Sequence, residues 1–103
     1  MRIMNDEHDI FTAHWSNAAG SSLVGYLEDV TRSELEQTFG SPYEIQPGEG
    51  DGKVTTEWTI TIDGVLATIY DWKRDSAPEA DERITWHIGG FHPDVAGLVN
   101  DII

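Results

Sequence analysis

Six side chains in the second half of the chain have the types needed to grip a ligand: Glu57, Tyr70, Trp72, Lys73, Arg83 and His87. Tyrosine and tryptophan offer flat apolar rings with a polar tip, suited to stacking on a base or on a partner's side chain. Arg83 and Lys73 can pair with a phosphate or a carboxylate, and His87 can hydrogen-bond and titrate near neutral pH. Glu57 adds a carboxylate that could form an acid pair with Tyr70, although a cross-strand hydrogen bond between them is the commoner explanation. Together these are the parts of a nucleotide-sized pocket or of a protein-binding hot spot. They are equally the parts of a second small core, if the segment carrying Phe11 and Trp15 folds over them.

The element that must position them is Lys53–Lys73, KVTTEWTITIDGVLATIYDWK. Asp63-Gly64 between two alternating, β-branched runs is a type I′ hairpin signal. Pairing Ile62 with Val65 sets Ile60 against Ala67, Trp58 against Ile69, Glu57 against Tyr70 and Thr55 against Trp72. Because side chains alternate along a strand, Val54, Trp58, Ile60, Ile62, Val65, Ala67 and Ile69 share a core face. Thr55, Glu57, Thr59, Thr61, Leu66, Thr68, Tyr70 and Trp72 share the other.

Further elements flank the hairpin. Ser21–Glu28 reads as a strand, with Leu23, Gly25 and Leu27 on one face and Val24 and Tyr26 on the other. Thr31-Arg32-Ser33-Glu34 matches a capping box, with Val30 and Leu35 placed for a hydrophobic staple and Gly40 at the helix end. Arg83–Gly89 alternates again, with Ile84, Trp86 and Ile88 on one side, Arg83, Thr85 and His87 on the other, and Gly89-Gly90 closing the strand. Pro93 then suits the first helical position, ahead of a stripe of Val95, Leu98, Val99 and Ile102. Residues 1 to about 19 show no period, although Ile10, Phe11 and Trp15 suggest that part of them packs down. The expected fold is α+β: a single domain over 1–103, with an antiparallel sheet in the order β-α-β-β-β-α and helices mainly on one face.

Charge narrows the function classes. Nineteen acids against six bases give a net charge of −13. Affinity for bare nucleic acid comes from Lys and Arg, so no direct nucleic-acid or anionic-membrane partner is expected. A basic protein partner is, unless the acids serve only solubility. There is no cysteine, no apolar run of membrane length and no secretory pattern in Met1–Asp9, which points to the cytoplasm. His8, His14, His87 and His92 lack metal-ligand spacing, so no metal or cofactor is expected. Pro47–Gly52, PGEGDG, reads as a plain turn: no helix follows it and its acids would repel phosphate. Lys73-Arg74 reads as balancing Asp71 and Asp75, or as clamping an anion near Trp72. Serine, histidine and aspartate occur without a nucleophile motif.

Four segments carry a resemblance: GSSLVGYL, DGKVTTEW, ATIYDWK and ITWHIGG. From about Asn17 onward the chain resembles a group of small acidic proteins encoded in tailed-phage genomes and prophages, whose activity is unassigned. The resemblance implies an accessory protein of the infected host cell that inhibits a host defence. The sequence expectation is therefore a non-enzymatic binding protein. One mode is capture of a small nucleotide-like signal by Tyr70 and Trp72, with Arg83, Lys73 or His87 on its phosphates. The alternative is an acidic inhibitor seated in the nucleic-acid groove of a basic defence protein, such as a CRISPR effector or a nuclease. A small hydrolase is a remote third class, and pairing of edge strands into a homo-oligomer is a further expectation.

Overall fold

The computed structural model describes residues 1–46, 48, 50 and 52–103; Pro47, Glu49 and Asp51 of the expected PGEGDG turn lie outside the described residues. In chain order the elements are β1 (Arg2–Ile3), β2 (Ile10–Thr12), a 3₁₀ turn (Trp15–Ala18), β3 (Ser22–Thr31), α1 (Arg32–Phe39), β4 (Tyr43–Glu44), β5 (Thr56–Ile62), β6 (Val65–Tyr70), β7 (Arg83–Gly90) and α2 (Val95–Ile102). The strands form one antiparallel sheet in the order β1-β2-β5-β6-β7-β3, with β4 also paired to β5. The α+β expectation holds. The strand list grows by β1, β2 and β4, which are too short to show a period of their own.

The hairpin forms as its residues dictate. Asp63 and Gly64 take the left-handed backbone of a type I′ turn, with φ of 52° and 83°. The register runs from Ile62↔Val65 to Glu57↔Tyr70. Beyond Tyr70 the expected Thr55–Trp72 pair does not form. Instead Asp71, fully buried, turns its carboxylate back onto the other strand and accepts from the Thr55 and Thr56 amides at 2.8 and 3.0 Å. The side chain takes both amides there, while the Asp71 and Lys73 amides still donate to the Thr56 and Lys53 carbonyls at 3.3 and 2.7 Å; the regular register ends, and Val54 joins the opposite face's cleft rather than the core.

Both helices cover one face. Thr31 accepts from the Glu34 amide, and Glu34 accepts in return from the Thr31 amide, completing the expected box. Val30 and Leu35 are both buried, as a staple requires. Phe39, Trp58, Ile60, Ile69, Trp86, Ile88, Val95 and Val99 fill the core between the layers. Trp58 and Trp86 meet edge to face at a centroid separation of 5.5 Å. Their indole N–H groups donate to the Gly40 and Val30 carbonyls, so each buried polar tip is satisfied. α2 starts at Val95, two residues beyond Pro93, which therefore precedes the helix rather than opening it.

One further expectation is corrected. In β3 the register shifts between Leu23 and Gly25, so Leu23 turns to the uncovered face while Val24 packs toward the core. Gly89 and Gly90 are the last two residues of β7, as expected, and still pair with Thr68 and Ala67. A Cβ on Gly89 would lie 2.5 Å from the Thr68 hydroxyl. The glycine thus also marks a close approach between strands.

Candidate functional site

The face of the sheet away from the helices carries an aromatic row laid down by three neighbouring strands. Tyr70 on β6 pairs across to His87 on β7, and His87 pairs across to Tyr26 on β3. Alternation sends all three side chains the same way. The His87 ring lies 5.1 Å from Tyr26, 5.5 Å from Tyr70 and 5.5 Å from Trp72. Trp72 stacks on His87 with 22° between the planes, and the Lys53 ammonium sits 5.7 Å from the Trp72 ring centroid. Trp72 remains 41% exposed while Trp58 is 2% exposed, so the hairpin sends the two indoles to opposite sides as expected.

Beside this row the 3₁₀ turn folds over β5 and β6. Between the turn and the sheet is a cleft of about 370 Å³. Trp15 and Ala19 from the turn, Leu23 from β3, Glu57 from β5, and Thr68, Tyr70 and Trp72 at the end of the hairpin line it. The covering segment is therefore partial: Trp15 stays 56% exposed and Phe11 44%, and the face is left open between them and Trp72. His14 accepts from the Ser16 amide and holds the turn's first residue in place.

The electrostatics differ from a phosphate site. Burial, reinforced by the neighbouring Asp71 charge, lifts the Glu57 carboxyl above the usual carboxylate range. Burial lowers the His87 imidazole below its ordinary value. The Tyr70 phenol is raised, first by burial and then by Glu57. Among the described residues no hydrogen-bond donor reaches the Glu57 carboxylate; it faces Tyr70 in register without the expected hydrogen bond.

Of the six side chains the sequence singled out, the structure brings four together: Glu57, Tyr70, Trp72 and His87. Arg83 is displaced. It lies opposite Thr31, four residues from His87 and so about 13 Å along the strand. There it donates to the Asp29 carbonyl at 3.0 Å and to Glu34 at 3.4 Å, across the start of α1. Lys73 does not line the cleft; its backbone is left-handed, φ 63°, and its amide N–H donates a hydrogen bond to the Lys53 carbonyl at 2.7 Å. Arg74 pairs with Glu82 through both carboxylate oxygens rather than with Asp71 or Asp75. Tyr26, Leu23 and Gly89 are additions that required knowledge of the β3–β7 register, which no local signal carries.

Each of the four arginines is engaged with a carboxylate: Arg2 with Asp9, Arg32 with Glu36 and Glu44, Arg74 with Glu82, and Arg83 with Glu34. Among the described residues no three His, Asp or Glu side chains converge on a point that could hold a metal ion. No helix of the described residues is long and apolar enough to cross a membrane. No family model, curated protein or solved structure matches this chain.

Proposed function

We propose that this chain is a non-enzymatic binding protein of phage type that inhibits a host defence by occupying a basic, nucleic-acid-handling surface of its partner. The observation that supports it most is the sign of the cleft. Glu57 faces into it, Arg83 and Lys73 stand outside it, and the arginines are spent on the protein's own carboxylates. With a net charge of −13, the remaining surface offers anions to a partner. Exposed Trp15, Trp72 and Tyr26 supply aromatic anchors of the kind that dominate interface energetics. The resemblance of Ala67–Lys73 and Ile84–Gly90 to phage proteins supplies the host-defence setting.

A second reading is sequestration of a small nucleotide-like signal. The Trp72–His87 stack favours this reading, since it offers a base platform. Native mass spectrometry of the protein recovered from infected-cell lysate separates the two. The groove reading expects a protein partner whose complex weakens steeply as salt rises. A bound nucleotide mass on the isolated chain, persisting in high salt, contradicts it and supports sequestration.

A further inference from the structure

We infer that the cleft between the Trp15 turn and the sheet receives an arginine side chain of the partner, its guanidinium lying against the aromatic walls and pairing with the Glu57 carboxylate. This rests on the proposed reading of the chain as the binder of a basic protein.

The cleft's size comes first. At about 370 Å³ it lies near the lower end of small-ligand sites and suits one long side chain. Its walls come next. Trp15, Tyr70 and Trp72 present π surfaces, which attract a cation placed over the ring. The Lys53 ammonium near Trp72 is an instance of that attraction within the chain itself.

The carboxylate then selects the occupant. Glu57 is half-buried and meets no donor among the described residues; its carboxylate still reaches solvent, and a charged donor would add a stronger, partly desolvated hydrogen bond to what water supplies. An aliphatic side chain would leave it unpaired, and a phosphate would be repelled. A cation with N–H donors satisfies it. Between the two basic side chains, guanidinium is the flat one. It is weakly hydrated, stacks on aromatic rings and can meet a carboxylate with two parallel N–H bonds.

This occupant also links the cleft to the partner class. An arginine that holds a nucleotide meets a flat ring and an anion. Trp72 and Glu57 offer those same two features on one sheet face, so an arginine built for nucleic acid finds both here.

The test is titration of the ¹⁵N-labelled chain with a capped Gly-Gly-Arg-Gly-Gly peptide and with its lysine and citrulline counterparts. The indole N–H signals of Trp15 and Trp72 should shift, while those of the buried Trp58 and Trp86 stay in place. Replacing arginine by the uncharged citrulline, or Glu57→Gln in the protein, should each weaken binding about tenfold or more, and lysine should bind less tightly than arginine. Unchanged Trp58 and Trp86 signals certify that the Glu57→Gln fold is intact. Trp15→Ala, on the exposed turn, provides a second variant and should weaken the arginine peptide about fivefold. Equal binding by the citrulline peptide, undiminished binding in both variants, or shifts that spare Trp15 and Trp72 would overturn the inference. If the native partner still binds in a salt-sensitive way while both variants leave the peptide unaffected, the cleft assignment fails and the acidic-surface reading survives. If no salt-sensitive protein partner is recovered, the broader reading fails.

Discussion

The Trp72 indole rests on the His87 imidazole, the planes inclined by 22° and the centroids 5.5 Å apart. The pairing joins the end of the hairpin to the neighbouring strand and shields the imidazole on one side. Trp72→Ala should cost only about 1 kcal/mol of stability, since the ring is half out in solvent and loses mainly one aromatic pair. It should also raise the His87 pKa toward the ordinary histidine value, because burial is what lowers it. An imidazole NMR titration of wild type and variant measures the second effect directly.

Trp86→Ala should behave differently. Trp86 is fully buried, packs edge to face on Trp58 and donates to the Val30 carbonyl. Removing it should cost about 3–5 kcal/mol through the cavity and the orphaned carbonyl. Urea midpoints for the two alanine variants should therefore separate widely. Near-equal midpoints would contradict the assignment of these indoles to opposite faces.

Asp71 stands where the hairpin ladder gives way to a side chain. Asp71→Asn replaces an acceptor-only group with one carrying its own donors, against amides that all donate. A loss of about 1.5–3 kcal/mol is expected, the range for hydrogen bonds to a charged group. The same change should lower the Glu57 pKa, because the Asp71 charge helps to raise it. Carboxyl chemical shifts followed through mild acid report that movement.

Two histidines give stability opposite pH dependences. His8 bonds to Asp63 at 2.7 Å and clasps the N-terminal segment to the hairpin turn. Its pKa is raised first by that hydrogen bond, and that of Asp63 is lowered by it. The histidine's contribution is full below about pH 6.5 and is lost as pH rises through the raised value; the aspartate's is full above about pH 3.9 and is lost as pH falls through the lowered one. The lowered pKa of His87 acts the other way: its contribution is full above about pH 6.5 and fades as pH falls through the folded value. His8→Gln should therefore destabilise more near pH 5.5 than near pH 8.5, while His87→Gln should remove part of the acid-side loss, both read from urea midpoints across about that pH span.

Some of this was legible in the residues and some was not. Asp63-Gly64 and the capping box Thr31–Glu34 are local signals, and both formed where the spacing put them, because turn chemistry and periodicity agreed. The shared face of Glu57 and Tyr70 follows from alternation alone, whereas Trp72 lies beyond the ladder and is placed by its stack on His87. Leu23 was assigned to the wrong face because a bulge changes the parity without leaving a mark in the sequence. Arg83 shares the face of His87, but four residues of strand, about 13 Å, separate them; its partners on β3 and α1 are long-range and leave no local signal. Gly89-Gly90 does close β7, but the close approach of Thr68 and Tyr70 that also calls for glycine at 89 is a long-range contact with no local signal. The strands β1 and β2 gave no period, since their place depends on pairing with β5 and on the His8–Asp63 contact rather than on their own composition.

The most direct test of the account is the footprint of the recovered partner, mapped by amide hydrogen exchange on the complex and on the free chain. New protection is expected on the 3₁₀ turn, Trp15–Ala18, on Leu23, and around Tyr70–Trp72, and should be lost in Trp72→Ala. Protection confined to the helix-covered side, on α1 and α2, with the aromatic face unchanged, would contradict it.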